Sequence, residues 1–276
     1  MVLIDRYVRP KSLEEAYELL TSVKGARIIG GFTFMRLGTV NIPLLIDLQD
    51  LGLDFIREGE DFIEIGATVK LGDVERSEVI QKHFDGFLSK TVKYIWSVQL
   101  RNIATVGGTV FARFGFSDFI TSLLVLNTKV KLYRNGEMLL EDFLESRVSR
   151  DILVSLKIEK EERKAKFRFM RNSFYDFSIL NVAVSAKVEN GRLGGFRIAI
   201  GARPGIAKLA RKAMEYLEKN GLSPETISKA SDLSAEEMEF GTDIRGDAEY
   251  RKMICPVLVR RALNDILSES SGGNRS

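Results

Sequence analysis

Two glycine pairs, each closing an apolar run, constrain this chain most: Arg27-Ile28-Ile29-Gly30-Gly31-Phe32-Thr33-Phe34 and Arg101-Asn102-Ile103-Ala104-Thr105-Val106-Gly107-Gly108-Thr109. A β-type run that empties into Gly-Gly commonly does no more than turn the chain. The same step also offers bare backbone N–H groups, and a threonine stands near each pair. The other reading is therefore a cradle for an anion such as a pyrophosphate. Two such cradles suggest a dinucleotide held between them.

The flanking segments carry ordinary helix and strand signals. Ser12, with Glu15 three residues later and apolar residues at helical spacing, predicts a capped helix that stops near Gly25. Residues 27–29 and 43–48 read as short buried strands. The three elements make a small β–α–β layer with the first glycine pair at a strand's C-terminal end, the usual place for a ligand. Residues 62–67 alternate as a partly buried strand, and 71–80 and 87–98 read as helical. Ser117-Asp118 caps a helix opening the apolar run 119–125, and a strand at 129–133 ends in the Asn135-Gly136 turn.

A charged stretch, 159–166, separates this region from three candidate strands at 167–171, 181–189 and 196–200. Helices follow at 207–219, 223–230, 234–240 and 248–267. Strands followed by helices predict a separate α+β domain at 165–267, after a first domain at 1–160 divided into subdomains of about 1–52 and 53–160. The Ser- and Gly-bearing segment 268–276 reads as a disordered tail.

Composition excludes several functions. Among 276 residues the one cysteine, Cys255, cannot form an internal disulfide or assemble an iron–sulfur cluster, and the one histidine, His83, cannot make a multi-His metal site. No metal-binding constellation and no nucleophilic triad is legible. Basic and acidic residues, 41 and 38, are interspersed, which argues against nucleic acid as a partner. No apolar run approaches the ~20 residues that cross a bilayer, and the first residues lack a signal peptide's apolar core. A cytoplasmic protein without a membrane span is expected.

Four blocks then stand in a recognisable order: Tyr7-x-Arg9-Pro10-x-Ser12-Leu13-Glu14-Glu15-Ala16; Gly30-Gly31; Gln99-x-Arg101-Asn102-x-Ala104-Thr105-Val106-Gly107-Gly108 with Ser117-Asp118; and Asp243-x-Arg245-Gly246-Asp247-Ala248-Glu249-Tyr250-Arg251 followed by Val257-Leu258-Val259-x-Arg261-Ala262-Leu263. Together they resemble the FAD-binding medium subunit of the molybdenum hydroxylases, the family of the carbon monoxide dehydrogenase and xanthine dehydrogenase flavoproteins. The resemblance implies an α+β chain: a p-cresol methylhydroxylase-type FAD-binding fold of two α/β subdomains, then a C-terminal α+β domain with a three-stranded antiparallel sheet and helices.

By the same resemblance, Ile29, Gly30, Gly31, Phe32 and Thr33 form a first pyrophosphate loop, and Thr105, Val106, Gly107, Gly108 and Thr109 a second. Asp118 matches an aspartate that contacts the cofactor, Leu153 lies in a segment along the flavin, Phe34 stands near the flavin, and Arg168 falls where many members have a lysine near FAD. Departures are Ile29 for a usual Ala, Phe34 for an aliphatic residue, Thr109 for Asn, and Arg113-Phe114-Gly115-Phe116 where a Pro is common. The implied role is an oxidoreductase subunit without a catalytic acid, base or nucleophile. Electrons pass from a partner iron–sulfur subunit, fed by a molybdopterin subunit, through FAD to NAD or another acceptor. The alternative is a stand-alone or repurposed FAD-binding module.

Overall fold

Strand Arg27–Ile29 pairs in parallel with Leu45–Asp47, which pairs in parallel with Tyr7–Val8 on its other side. Parallel neighbours need a crossover, and helix Leu13–Ser22 supplies it. Its cap is Ser12, whose Oγ accepts from the Glu15 N–H at 3.1 Å, whereas the Glu15 carboxylate accepts from the Lys11 N–H at 2.7 Å. The first glycine pair follows Ile29 directly, at the C-terminal end of this layer. The computed structural model of the chain describes residues 1–272.

The second layer is a five-stranded antiparallel sheet in the order Ile56–Glu58, Phe62–Gly66, Leu153–Glu159, Thr128–Leu132, Gly136–Leu139. The last two strands form the hairpin signalled by Asn135-Gly136. The short helices Leu71–Arg76, Phe87–Lys93, Val106–Phe111 and Asp118–Leu124 share one apolar core with this sheet, centred on Ile65, Val106, Phe119 and Leu156.

The third layer is a four-stranded antiparallel sheet, Arg163–Met170, Leu180–Glu189, Arg192–Gly201 and Lys208–Leu209. The sequence reading gave three strands and assigned Lys208 and Leu209 to a helix, which begins only at Arg211. Both faces of this sheet are covered. Along Leu180–Glu189 the alternate residues Val182, Val184 and Ala186 enter a second core with the C-terminal helices, while Ala183 packs into the first core.

The charged stretch 159–166 is mostly strand, with residues 160–162 as the connection. Leu153–Glu159 and Arg163–Met170 enter it from its two ends, and several of its charges find partners. Arg163 donates to Ser185 Oγ at 2.9 Å and Gly195 O at 2.7 Å, and Lys166 pairs with Glu269. The helices expected at 223–230 and 234–240 are one helix, Pro224–Glu236, with a capping box at Ser223 and Thr226. The last helix, Ala248–Gly272, continues beyond Leu267 into the segment read as disordered. The rest of that expectation, 273–276, lies outside the described residues.

Arg251 anchors this last helix. Its side chain is fully buried and donates to Ile179 O, Gly241 O and Gly246 O, and it pairs with Asp243 at 2.6 Å. Burial by itself would raise the Asp243 pKa, but hydrogen bonds from Arg251, the Arg245 N–H and Arg203 outweigh it and hold the carboxyl at about 2. Among the described residues no helix is long and apolar enough to cross a membrane.

Candidate functional site

A cavity of about 720 Å³ opens between the two glycine pairs, within the ~300–1,000 Å³ usual for small-molecule sites. Its walls include Ile29, Gly30, Phe32, Thr33 and Phe34 of the first loop, Thr105, Gly107, Gly108 and Thr109 of the second, and Asp118 and Leu153. Val106 is fully buried in the apolar core, and Gly31 packs behind the loop.

The two loops have different donor inventories. In the second, Thr105 caps helix Val106–Phe111, and every early N–H already has an acceptor. Val106 donates to Val69 O at 2.8 Å, Gly107 to Ala67 O at 2.8 Å, Gly108 to Thr105 Oγ1 at 3.1 Å and Thr109 to Thr105 O at 3.0 Å. Expecting bare N–H groups there is therefore wrong in its physical basis. These glycines serve close packing: a Cβ on Gly107 would stand 2.9 Å from Ala67 O.

The first loop is the opposite case. Among the described residues the N–H groups of Gly31, Phe32 and Thr33 have no protein acceptor. Gly31 at φ +79° and Phe32 at φ +60° curl the backbone into a concave turn, the second at a conformational cost that non-glycine residues rarely bear. Arg27, on the strand leading in, also lines the cavity and has no carboxylate partner among the described residues. The Thr68 hydroxyl, also in the cavity lining, is buried without a partner among the described residues.

Asp118 lines the cavity, yet its carboxylate is held by protein groups. It pairs with Arg171, and Oδ1 accepts from Ser178 Oγ at 3.0 Å and Asn181 Nδ2 at 2.7 Å. Burial raises its pKa, against the pull of Arg171 and these donors. Arg171 in turn donates to Tyr94 O at 2.8 Å and lies over the Phe169 ring. Arg168 does not reach the cavity. It sits on strand Arg163–Met170, pairs with Asp265 of the last helix, and carries the surface role a strand-edge cation ordinarily has. His83 lies against Glu58 at 2.9 Å, far in role from the cleft, and among the described residues no cluster of three or more His, Cys, Asp or Glu could hold a metal.

Sequence reasoning missed the wall contributed by residues 171–178. Phe177 packs tilted with its ring centroid 4.4 Å from that of Phe116, which lies 5.0 Å from Phe114 and 5.2 Å from Phe34. Tyr175 lies 4.2 Å from Trp96 at the rim. The atypical Phe34, Phe114 and Phe116 were the available signal, since three aromatics in two loops need an apolar partner surface. The whole arrangement fits a dinucleotide: unbonded N–H donors and a free cation for an anionic centre, and apolar aromatic walls for planar rings.

Residues 3–158 match the family described as "FAD binding domain in molybdopterin dehydrogenase", and residues 165–266 the "CO dehydrogenase flavoprotein C-terminal domain". The chain is 26% identical over 271 residues to the nicotine 6-hydroxylase medium subunit of Paenarthrobacter nicotinovorans, covering 94% of this chain and 95% of the relative. It is 23% identical to the carbon monoxide dehydrogenase medium chain of Hydrogenophaga pseudoflava over 274 residues, 94% and 95% of the two chains. Its fold superposes on a chain of Cu,Mo-CO dehydrogenase with a TM-score of 0.86 at 23% identity, covering 96% and 98% of the two chains. The corresponding figures for quinoline 2-oxidoreductase from Pseudomonas putida 86 are 0.85, 22%, 97% and 97%. The α+β architecture, the cleft between the glycine loops and these matches together make the chain a member of the FAD-binding flavoprotein subunits of the molybdopterin dehydrogenases, an oxidoreductase family.

Proposed function

We propose that the cleft holds FAD and that the chain relays electrons from a partner iron–sulfur subunit to NAD or another acceptor, within a cytoplasmic complex whose molybdopterin subunit oxidises the substrate. The observation that carries this reading is the unbonded N–H row of Gly31, Phe32 and Thr33 beside Arg27, because a pyrophosphate is the dinucleotide part that needs donors and positive charge. FAD, when bound, supplies the electron-accepting and electron-donating chemistry.

The chain's own residues bind, orient and exclude water. Gly31 to Thr33 and Arg27 would take the anionic centre, with Ile29, Gly30 and Phe34 around it. Gly107, Gly108, Thr105 and Thr109 would form the opposing surface by contact, not by backbone donation. Leu153 and the Phe34, Phe116 and Phe177 rings would form the dry wall that orients a planar ring system. Asp118 would act through Arg171, fixing the wall from behind.

The test is reconstitution. Purified chain titrated with FAD is expected to take up one equivalent with quenched flavin fluorescence, and acid precipitation to release it unmodified. Electron transfer to NAD is expected only after iron–sulfur and molybdopterin subunits are added. A folded chain that binds no FAD would sink the assignment. The stand-alone alternative gains if FAD binds but no such subunits co-purify.

A further inference from the structure

We propose that Arg245 is a positioning residue for the cleft, setting the aromatic wall of residues 171–178 by gripping Asp176 and Phe177. This rests on the reading of the cleft as the FAD site.

Residues 171–178 join strands Arg163–Met170 and Leu180–Glu189 without a ladder of their own. Inside the segment the bonds are local, Asp176 N–H to Ser173 O at 3.3 Å and Phe177 N–H to Asp176 Oδ1 at 2.7 Å. Asp118 and Arg245 hold it from outside, and Asp118 also accepts from Ser178 Oγ at 3.0 Å. Arg171 is fastened to Asp118 at one end. Arg245 Nε donates to Asp176 Oδ1 at 2.9 Å, its guanidinium lies 5.2 Å from the Phe177 ring centroid, and its carbonyl accepts from Asn172 Nδ2 at 3.2 Å.

Arg245 is itself fixed to the core. Its N–H donates to Asp243 Oδ1 at 2.9 Å, and the same carboxylate pairs with buried Arg251. A continuous path therefore runs from the last helix through Arg251, Asp243 and Arg245 to Phe177, and from there to Phe116 and Phe34 in the cleft. Phe174 and Tyr175, 62% and 64% exposed, rest on Trp96 at 5.8 and 4.2 Å. Release of Asp176 frees the middle of the segment, because the remaining grips hold its two ends, Arg171 and Ser178, both on Asp118.

The sole tryptophan, Trp96, reports the wall directly through its 4.2 Å contact with Tyr175. In the full-length chain, Arg245→Gln is expected to raise acrylamide quenching of Trp96 without FAD and to weaken FAD binding roughly tenfold, with Arg245→Lys restoring part of both. Arg203→Gln is the control, since Arg203 pairs with the same Asp243 at 3.2 Å without forming the grip on Asp176. The proposal is overturned if Arg245→Gln leaves Trp96 quenching unchanged, or if Arg203→Gln reproduces both effects. A wild-type chain that fails to take up FAD would overturn the FAD reading alone, and the Trp96 comparison would still decide the role of Arg245.

Discussion

Gly30 and Gly108 meet backbone to backbone. A Cβ on Gly30 would stand 2.5 Å from the Gly108 Cα, and one on Gly108 would stand 2.6 Å from Gly30 O. Gly30 and Gly108, 78 positions apart in the chain, make the two glycine pairs halves of one joint that closes the floor of the cleft.

Gly108→Val is therefore expected to destabilise the fold by about 2–3 kcal/mol, as overpacking against rigid backbone does, and to lower FAD occupancy as a consequence. Gly136→Ala is the comparison. Its φ of +71° is strained for alanine, but a Cβ there meets nothing within 4 Å, so the cost should stay near 1 kcal/mol. Urea unfolding of both variants measures the difference. Equal midpoints would remove the joint as an element of stability.

Asp118→Ala leaves the Arg171 guanidinium buried without its carboxylate, and the expected loss is about 3–5 kcal/mol. If Asp118 served chiefly as a cofactor contact, the apo protein would unfold at nearly the wild-type midpoint and only FAD affinity would change. Denaturation of the apo variant separates the two.

Acid should weaken the closing motif over a defined window. The Asp243 carboxyl titrates near 3.8 when unfolded and at about 2 when folded, so between these values the unfolded chain binds more protons. Its stabilisation, about 2 kcal/mol, is fully present above pH 4 and is lost as the pH falls toward 2. Asp243→Asn should flatten the unfolding free energy against pH in that interval, a slope readable from urea titrations at fixed pH.

Cys255 should be inert in the native state. Its thiol is fully buried in the last helix, and burial, with Glu237 adding to it, pushes its pKa up to about 12. A chromogenic disulfide reagent at pH 8 is expected to react with no thiol in the folded chain and with one in denaturant. Rapid native reaction would place the last helix incorrectly.

Local signals carried much of the architecture. The Ser12 cap, the strand Arg27–Ile29 and the Asn135-Gly136 hairpin depend on neighbours a few residues away, and all three stand where the sequence puts them. The strand Arg163–Met170 was harder to see, because its charges are balanced by Ser185, Gly195 and Glu269, residues no local window contains. In the cleft, the glycine pairs mark the location, but the state of their N–H groups is decided by Ala67 and Val69. The grip of Arg245 on Asp176 spans 69 positions and leaves no periodic trace.

The same long-range grip dictates an order of events during synthesis. Phe34 and Phe116 are made early, but the ring that completes their cluster arrives with Phe177, and the cation that holds it arrives only with Arg245. A nascent chain stalled between residues 108 and 245 has both glycine pairs and an open-sided cleft. Full affinity for the cofactor is thus expected of the completed chain and not of the growing one.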